Sequence, residues 1–399
     1  MSERLLLTFT GKDAPGITAQ LSAILDREGA HLHDVEQVVV QGYLTLAFSI
    51  TFGASANEDR GLKELLFAAK GLHLGMEFQR IETASTGAAR QRFALTAIAR
   101  SLKPRHLLAI ADALADHGAN IESIRRLSEG SLTAVEMAVS LAAGADAGLL
   151  QKALLAVAGQ GDLDCALQEE SLLRRSKRLV VMDMDSTLIQ IEVIDELARA
   201  HGVVDRVAGI TRRAMAGELD FDAALRERVG LLAGLDEKVL HDLAANLPLT
   251  EGAEVMLRVL KALGYRTAVL SGGFTVPAEA LRARLGIDHA FANTLEIEGG
   301  KLTGKVLGPI VNAQRKADLL EQIAGQHGIP LDQVIAIGDG ANDLFMLQKA
   351  GLGIAFHAKP KLREAADASI GSSGLDAILY LLGIAGRDAQ ALSRPPDVS

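Results

Sequence analysis

Positions 179–187 read LVVMDMDST, an apolar run followed at once by two acidic residues. The run Leu179–Met182 is short and uninterrupted, which is typical of a buried strand in a parallel sheet. Because side chains two apart on an extended segment face the same way, Asp183 and Asp185 should project together from the carboxyl end of this strand. Ligands of open α/β sheets bind at that edge. The stretch therefore predicts an α/β fold with a doubly wound parallel sheet and a ligand site beyond this strand.

Two more apolar runs end in residues suited to binding charged groups. Residues 267–270 precede SGG at 271–273, a hydroxyl and two glycines that let backbone N–H groups approach an oxyanion. Residues 334–337 precede GDGAND at 338–343, and Lys316 begins a predicted helix between the two runs. Three strand ends thus deliver polar groups to one edge of the sheet. The candidate residues from the last two are Ser271, Gly272, Gly273, Asp339, Asn342 and Asp343.

These residue types suit the cleavage of a phosphate ester. A carboxylate can displace the alcohol and form an aspartyl-phosphate, which divides one difficult step into two. Carboxylate attack on a phosphate needs a cation, and Mg²⁺ prefers oxygen ligands such as Asp183, Asp339 and the main-chain carbonyl of Asp185. A second carboxyl can protonate the departing alkoxide and later deprotonate water. Lys316 can neutralise charge on the transferred phosphoryl group.

A lone Asp-x-Asp sequence is common in surface loops, and it also occurs in calcium-binding EF-hand loops. The EF-hand pattern requires Gly at its sixth position and Glu at its twelfth. Leu188 and Ile194 stand at those positions, so the calcium loop is excluded. The ordered set of motifs, rather than any single residue, supports the phosphatase prediction.

The four motifs resemble those of the haloacid dehalogenase (HAD) superfamily, and residues 178–385 are similar to its phosphoserine phosphatases along their whole length. The resemblance implies that Asp183 is the nucleophile and Asp185 the general acid and base. It also implies a Mg²⁺ ion held by Asp183, Asp185 and Asp339. The residues that it places at the phosphate are Ser271, Gly272, Gly273, Lys316 and Asn342, with Thr187 and Asp343 in supporting positions.

A helix-rich insert follows Thr187 and ends near residue 249. The family places a small helical cap there, at about residues 190–249. Such a cap excludes water and contacts the leaving group, which makes it a determinant of substrate specificity. Helical periodicity covers four segments of the insert, at 193–200, 204–216, 221–232 and 237–245.

The resemblance implies which cap residues contact the substrate. Glu192 matches the residue that receives the substrate ammonium, and Arg228 matches the one that binds its carboxylate, a task suited to a planar guanidinium. Met215 and Phe221 match apolar residues that cover the site. An opposite-sign pair suits a zwitterionic amino acid and would suit phosphoglycolate or a sugar phosphate poorly.

The expected function is hydrolysis of O-phospho-L-serine to L-serine and phosphate, the last step of serine biosynthesis. Two alternatives stay open at this point. One is a HAD phosphatase for another small phosphoester. The other is an amino-acid sensor whose phosphatase domain is vestigial.

Residues 1–170 contain an internal repeat with an offset of 88 or 89 residues, visible in Gly29-Ala30 and Gly118-Ala119. Each copy has the order strand, helix, two strands, helix, strand, which predicts two βαββαβ domains. Both resemble ACT domains, which implies regulation by an amino acid and a homodimer. The predicted domains are 1–86, 87–174 and 175–399, with a linker at 84–89.

The two copies differ in their first loop. The first reads GKDAPGI at 11–17, similar to the ligand loop of ACT domains, which implies that Asp13 and Gly16 lie near an effector such as L-serine. The second reads RSLKPRH at 100–106 and lacks the Pro-Gly pair. A complete second effector site is therefore not expected.

Composition excludes several classes of partner. The chain has 399 residues, a formal net charge of -9 and no long basic tract, so nucleic acid is not an expected partner. With one cysteine it has no intrachain disulfide, and no apolar run approaches the ~18–20 residues that span a bilayer. A cytoplasmic protein without a membrane partner is expected. Residues 387–399 are expected to form a frayed tail.

Overall fold

The computed structural model describes residues 4–53, 57–81, 90–129, 133–159 and 162–393. The chain divides into two units, one ending at Ala89 and the other starting at Arg90. The linker expected at 84–89 lies outside the described residues.

The first unit has the predicted βαββαβ order. Its elements are β1 (Arg4–Lys12), α1 (Ile17–Arg27), β2 (Ala30–Val40), β3 (Tyr43–Phe52), α2 (Glu58–Gly71) and β4 (Leu74–Ile81). The sheet is antiparallel with the order β2-β3-β1-β4. Alternate residues of β1, namely Leu5, Leu7 and Phe9, are buried in one cluster with Leu21 of α1 and Leu65 of α2, as the period-two pattern requires.

The second unit begins with the second copy of this fold. Its elements are β5 (Gln91–Ala99), α3 (Pro104–Asp116), β6 (Ala119–Arg126), β7 (Ala134–Leu141), α4 (Ala147–Ala158) and β8 (Leu163–Glu169). Here Phe93, Leu95 and Ala97 of β5 occupy the positions that Leu5, Leu7 and Phe9 occupy in β1, again within a core cluster beneath the helices.

The remaining strands belong to the predicted doubly wound sheet. They are β9 (Leu179–Met182), β10 (Arg266–Phe274), β11 (His289–Glu298), β12 (Lys301–Leu307), β13 (Val334–Gly338), β14 (Leu352–Phe356) and β15 (Ala368–Ile370). Strand β9 lies between β10 and β13 and is parallel to both. The three strand ends that carry the predicted site therefore lie side by side, and the α/β fold class predicted from the sequence is confirmed.

Helices surround this sheet and form the insert after β9. The insert holds α5 (Val193–Ala200), α6 (Val204–Met215), α7 (Phe221–Gly230) and α8 (Glu237–Ala245). The later helices are α9 (Ala253–Ala262), α10 (Thr275–Leu285), α11 (Ala313–Gln326), α12 (Leu344–Lys349), α13 (Pro360–Ala365), α14 (Ile378–Leu381) and α15 (Gly386–Ser393).

The second βαββαβ domain is continuous with the doubly wound sheet. Strand β8 pairs antiparallel with β15 at Ala166 and Ala368, which gives one sheet of eleven strands in the order β12-β11-β10-β9-β13-β14-β15-β8-β5-β7-β6. Ile98, Leu127, Ala134 and Ala166 of this domain lie in the same hydrophobic cluster as residues of the doubly wound sheet and the insert.

Two local expectations were wrong. Strand β10 does not end at residue 270 but continues to Phe274, with a register irregularity against β11 between Leu270 and Phe274. Such irregularities bend a strand and redirect side chains near active sites. The first part of the tail expected to fray, from Arg387 to Ser393, belongs to helix α15, and the Gly386 N–H of this helix donates to the carbonyl of Leu127 (2.8 Å). The rest of that tail, 394–399, lies outside the described residues.

Candidate active site

The nucleophile candidate Asp183 lies between the end of β9 and a wide helical turn at Met184–Leu188. Asp183 is 4% exposed, its N–H donates to the Ile337 carbonyl of β13, and its Oδ1 accepts the Met184 N–H at 2.7 Å. Ser186 has φ 56, a left-handed conformation that few residues other than glycine adopt. The neighbouring strand and the turn's own hydrogen bonds therefore fix the position of this carboxylate.

A fully buried lysine lies behind Asp183. The Lys316 Nζ is 2.8 Å from Asp183 Oδ2 and 2.7 Å from Asp343 Oδ1. Burial alone would lower the pKa of Lys316, but the two carboxylates raise it above its ordinary value. Lys316 is therefore a permanent cation at this sheet edge, where it compensates two carboxylates.

Three carboxylates meet at the ends of β9 and β13. Oxygen atoms of Asp183, Asp339 and Asp343 all lie within 4.8 Å of one another. Burial, and then the charge of Asp183, raises the pKa of Asp339 to about 7, and Thr187 Oγ1 donates to Asp339 Oδ1 at 3.3 Å. Crowded carboxylate oxygens of this kind fit a hard divalent cation such as Mg²⁺.

Asp343 is fully buried and differs from the other two because it accepts backbone N–H groups of the loop after β13. Its Oδ1 accepts from Lys316, and its Oδ2 accepts the N–H groups of Asp339 and Gly340 at 3.2 and 3.0 Å. Asp343 thus fixes the loop that carries Asp339.

Asp185 lies next to Asp183 in a different environment. Its Oδ1 accepts the Val193 N–H at the start of α5, and its Oδ2 packs on Gly273, where any side chain would collide with it. Burial, and then the charges of Glu192 and Asp183, raises the pKa of Asp185 well above its ordinary value. A buried carboxyl whose pKa is raised beside a carboxylate is suited to act as a general acid.

The insert closes this edge of the sheet into a cavity of about 590 Å³. Glu192 and Arg228 line it together with Asp183 and Asp185, and the ring of Phe221 lies 2.9 Å from where a Cβ on Gly272 would stand. Glu192 Oε1 accepts from Ser186 Oγ at 2.8 Å. Partial burial in the cavity raises the pKa of Glu192 and lowers that of Arg228, because desolvation disfavours the charged form of each group.

Comparison with known proteins bears on what this cavity is for. Family models match residues 180–348 as a haloacid dehalogenase-like hydrolase and residues 3–79 and 93–168 as ACT domains. The phosphoserine phosphatase SerB2 of Mycobacterium tuberculosis is 42% identical over 388 residues, which cover 97% of this chain and 95% of that one. A phosphoserine phosphatase of Streptomyces coelicolor is 44% identical over 394 residues, covering 97% and 94%. This chain belongs to the phosphoserine phosphatase family.

A solved structure agrees with this assignment at the level of fold. The HAD family hydrolase t0658 of Salmonella enterica serovar Typhi matches with a TM-score of 0.65 and 32% identity, over 73% of this chain and 98% of that one. The prediction of a HAD domain preceded by two ACT domains is confirmed. Within the part of the chain that the structure describes, no helix has the length and apolar content to cross a bilayer.

The predicted site residues fall into three groups in this family member. One group lines the cavity: Asp183, Asp185, Glu192, Met215, Phe221, Arg228, Gly272, Gly273, Asp339 and Asn342. A second group lies buried around it and does not line it: Thr187, Ser271, Lys316 and Asp343. Asp13 and Gly16 belong to the first unit, in the loop between β1 and α1, where Gly16 has φ 91 and Asp13 is exposed.

The cavity also contains residues that sequence reasoning missed. Asp195 and Thr211 of the insert line it, and so does Lys359, which immediately precedes α13. The Lys-Pro pair at 359–360 marks the start of a helix, but it contains no catalytic pattern, so no signal in the sequence singled out Lys359.

Proposed function

We propose that this protein hydrolyses O-phospho-L-serine to L-serine and phosphate. The observation that carries the proposal is the position of Glu192 and Arg228, which line the same cavity as Asp183 and bear opposite charges. A phosphomonoester that also carries an ammonium and a carboxylate complements this set. With a substrate that lacks the ammonium and the carboxylate, Glu192 and Arg228 of the cap would have no substrate group to bind.

In the first step, the Asp183 carboxylate attacks phosphorus and the bond from phosphorus to the serine oxygen breaks. Asp185 gives its proton to the departing oxygen, which leaves L-serine and an aspartyl-phosphate on Asp183. The raised pKa of Asp185 supports this role, because burial favours the protonated form that a general acid needs.

In the second step, Asp185 accepts a proton from water while the water oxygen attacks phosphorus. The bond between Asp183 and phosphorus then breaks, which releases inorganic phosphate and restores both carboxyl groups. Lys316 stabilises the charge on the phosphoryl group in both steps from behind Asp183, and the glycines at 272–273 leave room for phosphate oxygens near the backbone.

Mg²⁺ would be held by Asp183, Asp339 and the main-chain carbonyl of Asp185. When bound, it offsets the negative charge of the phosphate and the carboxylates. The Thr187 hydroxyl orients Asp339, and Asp343 holds the loop that carries it.

The test is kcat/KM for phosphoserine, phosphothreonine and phosphoglycolate in the presence of Mg²⁺, with an Asp183→Asn variant as control. We expect phosphoserine to exceed phosphoglycolate by about a hundredfold, or ~2.7 kcal/mol of transition-state binding. All turnover should vanish in the variant. Turnover that needs Asp183 but shows no such preference would leave a HAD phosphatase for another phosphoester. If none of the esters releases phosphate in an EDTA-sensitive reaction, the amino-acid sensor alternative is favoured.

The recognition roles have their own control. Arg228→Lys keeps the charge but loses the planar fork, and Glu192→Gln removes the charge. Both variants should lose phosphoserine turnover by far more than turnover of p-nitrophenyl phosphate, which carries neither an ammonium nor a carboxylate. Equal losses on both esters would contradict the assigned roles.

We further propose that L-serine binds the first ACT domain near Asp13 and Gly16. We also propose that the chain forms a homodimer through ACT domains. The reaction would be the last step of serine biosynthesis. The domains are taken as 1–86, 87–174 and 175–399, with the cap at about 190–249. Serine inhibition that survives Asp13→Ala unchanged would be ordinary product binding at the active site.

A further inference from the structure

Asn312 joins the helix that carries Lys316 to the cap helix that carries Arg228. It is the residue before α11, and its Oδ1 accepts the Arg315 N–H at 3.1 Å, which caps the helix. Its Nδ2 donates to Oδ1 of Asp222 at 3.1 Å, in the first turn of α7. The Asn312 side chain thus contacts helix α11 of the core through its oxygen and helix α7 of the cap through its nitrogen.

A second amide connects Asn312 to the phosphate-binding side of the core. Asn293 of β11 is 1% exposed, and its Nδ2 donates to the Gly272 carbonyl at 2.8 Å. Its Oδ1 accepts the N–H of Val311, the residue before Asn312, also at 2.8 Å. Because both the nitrogen and the oxygen of the Asn293 side-chain amide form hydrogen bonds, the segments at Gly272 and Val311 are held at a fixed distance from each other.

Phe221 provides a further contact between cap helix α7 and the core at Gly272. Asp222, which accepts from Asn312, directly follows Phe221, and the Phe221 ring packs over Gly272. Arg228 lies on the same helix, about two turns further along. A shift of α7 would therefore break the Asp222 contact, uncover Gly272 and move Arg228 together.

We infer that Asn312 and Asp222 form a latch that holds cap helix α7 over the phosphate-binding glycines and keeps Arg228 facing the cavity. Asn312 is thus a positioning residue for recognition of the amino-acid part of the substrate. This inference rests on the proposed function for the identity of that substrate, although the latch itself is a property of the cap and the core.

The test uses the near-identical shapes of Asn and Asp. Asn312→Asp keeps the oxygen that caps α11, but it replaces the amide donor with a carboxylate facing Asp222. We expect the variant to lose about ten- to a hundredfold in kcat/KM for phosphoserine, mostly through KM, and less than about threefold for p-nitrophenyl phosphate. Its melting temperature should stay near that of the native protein, because the helix cap is retained.

The matched control is the exchange Asp222→Asn with Asn312→Asp. It restores one donor and one acceptor across the same gap and returns the net charge to its native value. We expect the double variant to recover phosphoserine kcat/KM to within about threefold of the native protein. A single variant with native kinetics would overturn the latch, as would equal losses on both esters or a double variant that fails to recover.

A readout without substrate separates failure of the latch from failure of the proposed function. Amide hydrogen exchange in α7, residues 221–230, should be faster in Asn312→Asp and native-like in the double variant. If the native protein shows no preference for phosphoserine, the substrate assignment fails while this exchange pattern still supports the latch. Unchanged exchange in Asn312→Asp would overturn the latch whatever the substrate.

Discussion

The two ACT domains have the same chain order, but their last strands face different surroundings. Strands β4 and β8 correspond with an offset of 89 residues, and the core-facing positions Leu74 and Leu163 agree in burial. On the other face, Glu77 and Gln79 of β4 are exposed, whereas their counterparts Ala166 and Gln168 of β8 are buried. One copy is a separate unit, and the other is built into the catalytic unit.

Asp164 shows how the second copy is attached. Its carboxylate accepts hydrogen bonds from the Gly371 and Ser372 N–H groups and from the hydroxyls of Ser372 and Ser373, at 2.7 to 3.3 Å. The corresponding residue of the first copy is Gly75, which has no side chain to offer. The two copies share a fold but differ in their surroundings. The residues on one face of the last strand, β4 or β8, determine whether the copy is separate or attached to the catalytic unit.

The largest expected effect comes from removing the second copy together with the first, compared with removing the first copy alone. Deletion of residues 1–89 should leave the melting temperature of the remaining unit nearly unchanged. Deletion of residues 1–174 exposes the β15 edge and the apolar surface that covered it, so we expect a loss of more than ~5 kcal/mol in the free energy of unfolding, or aggregation. Calorimetry and sedimentation measure both. Equal stability of the two shortened chains would refute the division into one free and one built-in copy.

Asp164→Ala should have the largest effect among single substitutions on β8. It leaves two backbone N–H groups and two hydroxyls without their acceptor, for an expected loss of about 2–4 kcal/mol in urea unfolding. The control is Glu77→Ala on the exposed face of β4, which should change stability by less than about 0.5 kcal/mol. A loss below that level for Asp164→Ala would mean that water replaces the carboxylate without cost.

Glu136 of β7 tests the connection between the second ACT domain and the segment between β8 and β9 that leads to the catalytic sheet. Its buried carboxylate accepts from Arg174 at 2.7 Å, from Arg125 at 2.9 Å and from Arg175 at 3.1 Å. Burial alone would raise the pKa of Glu136, but the three guanidinium groups, led by Arg174, hold it below its ordinary value. Stability from this group is therefore full above the ordinary glutamate value of 4.5 and falls as the pH drops through the lowered pKa.

Glu136→Gln should cost about 1–3 kcal/mol near neutral pH, because Arg174 stays buried with less compensation. The variant should also lose part of the acid-dependent destabilisation below about pH 4.5. Urea unfolding of both proteins across pH 3–7 gives the two quantities. Parallel curves for the native and variant proteins would contradict this assignment of the acid sensitivity.

The sequence predicted what is encoded locally and missed what depends on contacts distant in sequence. Asp183, Asp185 and Asp339 each follow an apolar strand, so their convergence follows from parallel pairing alone. The β8–β15 connection depends on Asp164 and a loop 207 residues later, and no period or turn signal announces such a pair. Lys359 likewise reaches the cavity, and Asn312 the cap helix α7, through tertiary packing. The helix at 386–393 was missed because its stability comes from packing rather than composition.

The smallest expected effect is also the most closely matched. Gln79 and Gln168 are the same residue type at corresponding positions of β4 and β8, and each is paired with the first strand of its own domain, at Leu6 and Ala94. Only Gln168 is buried, and its Nε2 donates to the Leu381 carbonyl at 2.9 Å. Gln168→Ala should therefore cost about 1 kcal/mol in urea unfolding of the second unit, and Gln79→Ala less than about 0.5 kcal/mol in the first. Equal costs would show that the strand position, rather than its neighbours, determines the energy, and the comparison between the two copies would then lose its physical basis.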